Sequence, residues 1–149
     1  MIVNAESQRL TAALRRTGRV ELGIRTVILL DGASAAAPSK LDALIAASPG
    51  SRKFLSTVLG RLSRCGITAS NRGPLGGYWL ARPLEQITVL DIVEALGPGP
   101  DFPLGGARGS SDEQSDPIEG RLEALWSDVD DRLREVLAAA TIRNLVGTV

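Results

Sequence analysis

The chain has 149 residues, of which 44% are hydrophobic, 23% charged and 3% aromatic, with no His and a single Cys. That is one domain's worth of sequence, or one small domain plus an interaction element. The inventory excludes a His- or Cys-rich zinc site, a Ser-His-Asp triad and a disulfide framework. A net charge of zero hides a division. Residues 1–82 carry twelve Lys and Arg against four acids, a net of +8, and residues 83–149 carry five against thirteen, a net of −8. Such asymmetry points to one half that faces a polyanion and one that stays off it, against chance clustering of surface charge.

Residues 1–20 show no long apolar core and no small-residue cleavage site. The most apolar short run, Val27 to Leu30, is far below the roughly 20 residues of a membrane span. The expectation is a cytoplasmic protein without membrane association.

In chain order, residues 5–16 read as a short helix with Leu10, Ala13 and Leu14 on one face. Residues 20–31 place Val20, Ile24, Val27 and Ile28 at helical spacing. Residues 32–38 are a small-residue loop. Ser39 reads as an N-cap, with Asp42 as a weak capping-box partner and Leu41, Leu44 and Ile45 as the stripe of a short helix. Ser48-Pro49-Gly50 is a turn, and Ser51 caps a second helix running to Arg64, which Gly66 terminates. Its apolar positions are Phe54, Leu55, Val58, Leu59 and Leu62. Two short helices joined by a tight turn, the second basic, make a helix-turn-helix pattern, which many helical pairs share.

The next segment strengthens it. Ile67 to Ser70 reads as a strand, Arg72 to Gly77 as a Gly/Pro turn, and Tyr78 to Ala81 as the returning strand. A hairpin placed there is a wing, whose glycine backbone can approach a phosphate closely. Arg72 is suited to a narrow minor groove, or is an ordinary hairpin arginine. Ile87 to Leu96 is a further helix, capped by Thr88. Residues 97–117, rich in Gly, Pro and Ser, read as a flexible loop. From Ile118 to Ala140 a long helix repeats Ile118, Leu122, Leu125, Val129, Leu133, Val136 and Leu137 at three- and four-residue steps, with Trp126 beside them. Detached by the loop, such a stripe wants a partner helix or folds back on its own domain.

The run Arg72-Gly-Pro-Leu-Gly-Gly-Tyr-Trp-Leu-Ala-Arg-Pro83, followed by Ile87-Thr-Val-Leu-Asp-Ile-Val-Glu-Ala-Leu96, resembles the Rrf-two family of bacterial regulators, which includes the IscR and NsrR types. Phe54-Leu55 matches the family's aromatic-Leu position in the recognition helix. The resemblance covers about residues 14–97 well and the terminal helix more loosely. It implies a mainly α fold with a small β-hairpin: an N-terminal extension (1–13), a winged helix-turn-helix domain (14–97), a flexible loop (98–117), and a dimerisation helix with a C-terminal tail (118–149).

The function implied is that of a homodimeric repressor on a palindromic operator of double-stranded DNA. Recognition helix 51–64 would enter the major groove, and Arg72 of wing 67–82 the minor groove. Base reading carries over to Arg52, Lys53 and Ser56, the last often Glu in the family. Phosphate contacts carry over to Ser51, Thr57 and Arg61 and to the wing glycines Gly73, Gly76 and Gly77. Dimerisation falls to Leu122, Leu125, Trp126, Val129, Leu133, Val136 and Leu137.

Well-known members hold an iron–sulfur cluster with three Cys in the loop before the dimer helix. Here that loop has none. Its carboxylates, Asp101, Asp112, Glu113 and Asp116, are hard ligands that do not replace thiolates. No cluster, metal or other cofactor is expected. Cys65, beside Arg64, is either a candidate redox sensor or a small buried residue closing the helix. Trp79 and Trp126 read as packing anchors or cavity walls. The signal would then come from an effector small molecule or a partner protein. A different class of reading is a protein-interaction module whose acidic C-terminal half docks an enzyme or regulator. Nothing supports an enzyme: no phosphate-binding glycine loop precedes a helix, and the acids form no recognisable pair.

Overall fold

The computed structural model describes residues 18–97 and 117–147, with the side chains of 123, 126 and 130 excepted. The expected helix over 5–16 and the loop 98–116 lie outside the described residues.

Helix α1 (Arg19–Leu29) turns Leu22, Thr26 and Val27 inward. The buried Thr26 hydroxyl donates to the Leu22 carbonyl at 2.7 Å, so its burial leaves no polar group unpaired. Helix α2 (Leu41–Ala47) and helix α3 (Arg52–Arg64) follow. The Ser51 side chain caps α3 by accepting from the Phe54 N–H at 3.2 Å. At the other end Gly66 has φ +71°, its N–H donates to the Ser63 carbonyl, and the Ile67 N–H donates to Leu62. That paired arrangement is a Schellman stop, which places a glycine where the left-handed conformation costs least.

Strands β1 (Thr68–Asn71) and β2 (Gly77–Leu80) form an antiparallel hairpin, with Thr68 opposite Leu80 and Asn71 opposite Gly77. A 3-10 turn (Leu84–Gln86) leads to α4 (Val89–Leu96). Thr88 and Asp91 make a reciprocal capping box there, at 3.1 and 3.0 Å. Helix α5 (Pro117–Ala139) and the short α6 (Ile142–Val146), capped by Thr141, complete the order. Among the described residues no helix is long and apolar enough to cross a membrane.

One core joins these elements: Leu22, Val27 and Leu30, then Leu44, then Leu55, Val58, Leu59 and Leu62, then Ile67, Leu84 and Ile87, then Ile92 and Leu96, and finally Ile142. Each such side chain contributes about 1.5–3 kcal/mol on leaving water.

Two expectations need correction. Ser39 is not a helix cap; Lys40 holds the N-cap position of α2, without a side-chain cap bond. Ser39 instead exchanges two 2.8 Å backbone hydrogen bonds with Tyr78, extending the hairpin by one bridge. The terminal helix is also not detached along its whole length. Leu137 and Ala140 pack on the core, and Arg134 pairs with Glu94 of α4. The Val89 N–H donates to Ala140 and the Ile142 N–H to Ile87, both at 2.8 Å. The tail is a docked element: Ile142 is fully buried, and Arg143 bridges Glu85 (2.7 Å) and Asp31 (3.3 Å). Burying an Ile outweighs leaving a short tail in water, and no local periodicity announces so short a helix.

Candidate nucleic-acid interface

The N-terminus of α3 and the hairpin border one open groove of about 440 Å³. Lys40, Leu41, Asp42 and Arg52 line it from the helices, and Ser70, Asn71, Arg72, Gly73, Gly76, Gly77 and Tyr78 from the wing. Arg52, Arg72 and the three wing glycines, far apart in sequence, are thus brought together. Lys53 stands exposed beside them, with Ser56 and Thr57 half-buried one turn on. Among the described residues neither Lys53 nor Arg72 has an ion-pair partner. The Thr57 hydroxyl donates to the Lys53 carbonyl at 3.0 Å. Ser51 uses an oxygen lone pair for its cap and keeps its hydroxyl hydrogen to donate.

The wing glycines divide into two kinds. A Cβ on Gly76 would stand 2.2 Å from the Asn71 carbonyl oxygen, and one on Gly77 2.5 Å from the Ser39 oxygen. Those two glycines are required by the folding of the wing itself. Gly73, at φ +100°, would point a Cβ into open space, so it is the glycine past which a ligand can approach. The turn closes with the Gly76 N–H donating to Gly73 at 2.9 Å. Lys40 donates through Nζ to the Pro74 carbonyl at the wing tip, and Arg52 pairs with Asp42. Lys40 did not stand out in sequence, and Asp42 did so only as a capping partner of Ser39, a role it does not take. Thirty-four positions separate Lys40 from Pro74, and no local pattern records that meeting.

Arg61 does not join this face. Nine residues beyond Arg52, it is half a turn around the helix at 100° per residue. Its Nη1 donates to the Gly97 carbonyl at 2.9 Å, at the end of α4. Arg19 lies beside it, only 8% exposed. Burial, and then the neighbouring Arg61, hold the Arg19 guanidinium below its usual pKa. Other basic residues of the +8 half are also engaged elsewhere: Arg25 pairs with Glu21, and Arg82 with Asp91. The positive charge of the interface is therefore a local concentration at the groove and along α3, not a uniform face.

Cys65 is exposed at the C-cap of α3, so it does not fill the core as a small buried residue. Trp79 is half-buried in β2, opposite Ala69. Along α5, Ile118, Leu122, Leu125, Val129, Leu133 and Val136 are 38–67% exposed in the single chain. Leu137, grouped with them by spacing, is turned into its own core instead. The side chain of Trp126 lies outside the described residues.

A helix-turn-helix whose basic second helix stands beside an arginine-bearing hairpin is the interface of a winged-helix DNA-binding protein. The comparisons with known proteins go one step further. Residues 16–148 match the Rrf2 (Rrf-two) family, described as an iron-dependent transcriptional regulator, and the chain belongs to that family. It is 29% identical over 136 residues to a Mycobacterium tuberculosis protein, Rv1287, named as an HTH-type transcriptional regulator; the match covers 90% of this chain and 82% of that one. It is 33% identical over 100 residues to the HTH-type transcriptional regulator IscR of Cronobacter sakazakii, covering 64% of this chain and 57% of the relative. Among solved structures, the oxidized form of Staphylococcus aureus CymR aligns with a TM-score of 0.61 at 27% identity, over 88% of this chain and 94% of that one. T. potens IscR shares the fold, with a TM-score of 0.62 at 23% identity, over 86% and 82%. The chain is a DNA-binding transcriptional regulator.

The family's description names iron dependence. The sequence has no His and one Cys. Among the described residues no three His, Cys, Asp or Glu side chains come together to hold a metal ion. The acids of 98–116 lie outside the described residues.

Proposed function

We propose that this regulator acts as a homodimeric repressor on a palindromic operator, and that its response does not run through an iron–sulfur cluster. The observation that carries the dimer is the α5 stripe. Six large apolar side chains at three- and four-residue steps lie on one face of a 23-residue helix and stay 38–67% exposed among the described residues. Such a stripe is stable in water when a second copy covers it, and two-fold pairing then sets two recognition helices against two half-sites.

In this reading Arg52, Lys53 and Ser56 read bases in the major groove. Ser51 and Thr57 donate to phosphates, and Arg72 enters the minor groove beside Gly73. Arg61 is withdrawn from the phosphate set because its guanidinium serves the end of α4. The test combines sedimentation equilibrium with mobility shifts on a duplex carrying an inverted repeat. Leu125→Asp with Val129→Asp should give a monomer that keeps its fold and loses most operator affinity. A double variant that remains dimeric, or that binds the repeat as well as the wild type, contradicts the proposal.

A further inference from the structure

Three cations line the groove, Lys40, Arg52 and Arg72, and among the described residues lining it Asp42 is the only acid. A surface that binds a polyanion gains no affinity from a carboxylate, which repels nearby phosphates. Yet Asp42 stands in the first turn of α2 and accepts a hydrogen bond from Arg52 Nη2, at the first position of α3. Both side chains are open to water, 80% and 63% exposed, so the pair is readily exchanged. An exposed pair of this kind shifts an equilibrium by at most a factor of about five. A bidentate arginine on a base edge discriminates by roughly 5- to 150-fold. Leaving Asp42 for a phosphate gains little, because the bared carboxylate then faces the backbone. Leaving it for a base edge gains more than the pair gives up.

We propose that Asp42 is a specificity-determining residue: it withholds Arg52 from phosphates of arbitrary sequence and releases it to a base edge of the operator. This rests on the reading of the groove as the DNA interface. The side chain acts as a positioning residue, through Arg52 and not through its own contact with DNA.

The experiment measures dissociation constants of the full-length protein for a selected operator duplex and an unrelated duplex, across a salt series. The variants are Asp42→Asn, Asp42→Glu, Arg52→Ala and the Asp42→Asn/Arg52→Ala double. Thermal melts confirm that each is folded. Asp42→Asn should tighten the unrelated duplex several-fold and steepen its log–log salt dependence by about one unit. The operator should change less, so the specificity ratio falls roughly 2- to 5-fold, the scale of one exposed pair. Asp42→Glu should keep most of the ratio, and in the Arg52→Ala background Asp42→Asn should leave it unchanged. A role confined to the α2 terminus would move the melting temperature and not this ratio. Equal tightening of both duplexes, or an undiminished effect without Arg52, overturns the proposal. A wild-type protein that prefers no duplex overturns the DNA-interface reading, and the proposal with it, before any variant is made.

Discussion

The Arg61 guanidinium donates a 2.9 Å hydrogen bond to the Gly97 carbonyl, joining α3 to the C-cap residue of α4. This contact makes Arg61 a structural arginine, in contrast to the exposed Lys53 of the same helix. Arg61→Ala should lower stability by about 1.5 kcal/mol, the scale of a hydrogen bond from a charged group. The salt dependence of DNA binding should stay unchanged. Lys53→Ala should keep the melting temperature and weaken operator binding by roughly 5- to 150-fold, the scale of one base contact. Thermal melts and mobility shifts on the two variants check the contrast, and a reduced salt slope in Arg61→Ala would refute it.

The docked tail makes a second prediction. Ile142 is fully buried among residues far from it in sequence. Ile142→Ala should cost about 2–5 kcal/mol, the range for Ile-to-Ala changes in a core. Urea denaturation measures it. A loss below about 1 kcal/mol would show that α6 is dispensable to the domain.

The wing predicts a local defect. Gly77→Ala places a methyl 2.5 Å from the Ser39 oxygen, against backbone that pairs with Tyr78 on both sides. Relief requires parting Ser39 from the hairpin, at about 1–3 kcal/mol. Amide exchange should show Ser39 and Tyr78 losing protection while α3 keeps its own. DNA affinity should fall, because Arg72 rides on the displaced wing.

Stability should also depend on pH through the Arg143 bridge. The Glu85 carboxyl is held below its usual pKa, first by a backbone hydrogen bond at Glu85 itself and next by the Arg143 side chain. A depressed folded pKa gives stability that is present above the unfolded pKa and lost as pH falls through the folded one. Arg143 is shifted up, mainly by its hydrogen bond to Glu85, so its contribution is lost only at strongly alkaline pH. Glu85→Gln should flatten the acid limb of a plot of melting temperature against pH and leave the neutral region nearly level. An acid limb identical to wild type would contradict the assignment.

Much of the fold was legible because its signals are local. Ser51, Thr88 and Gly66 act within four residues of themselves, and the 3.6-residue period marks the buried face of α3, whereas of the stripe read in α1 only Val27 is fully buried. The wing was legible as two short runs around a Gly/Pro turn. What escaped the sequence is tertiary. Ser39 looks like a cap, but the backbone of Tyr78 competes for it with two hydrogen bonds where a cap offers one. Arg61 falls within the basic set of its helix, and only the packing of α4 shows that its side chain turns inward. The pairing of Arg52 with Asp42 and the reach of Lys40 to Pro74 join separate elements, and charge counts do not record them.

The most direct test of sequence-specific DNA recognition is selection of genomic fragments by the purified full-length protein at two salt concentrations, with Arg72→Ala alongside. Affinity drawn largely from phosphates should weaken at the higher salt while one preferred site persists. The expected result is enrichment of an inverted-repeat sequence by the wild type, largely lost in Arg72→Ala. Fragments enriched without a common sequence, or the same site recovered equally by the variant, would contradict the account.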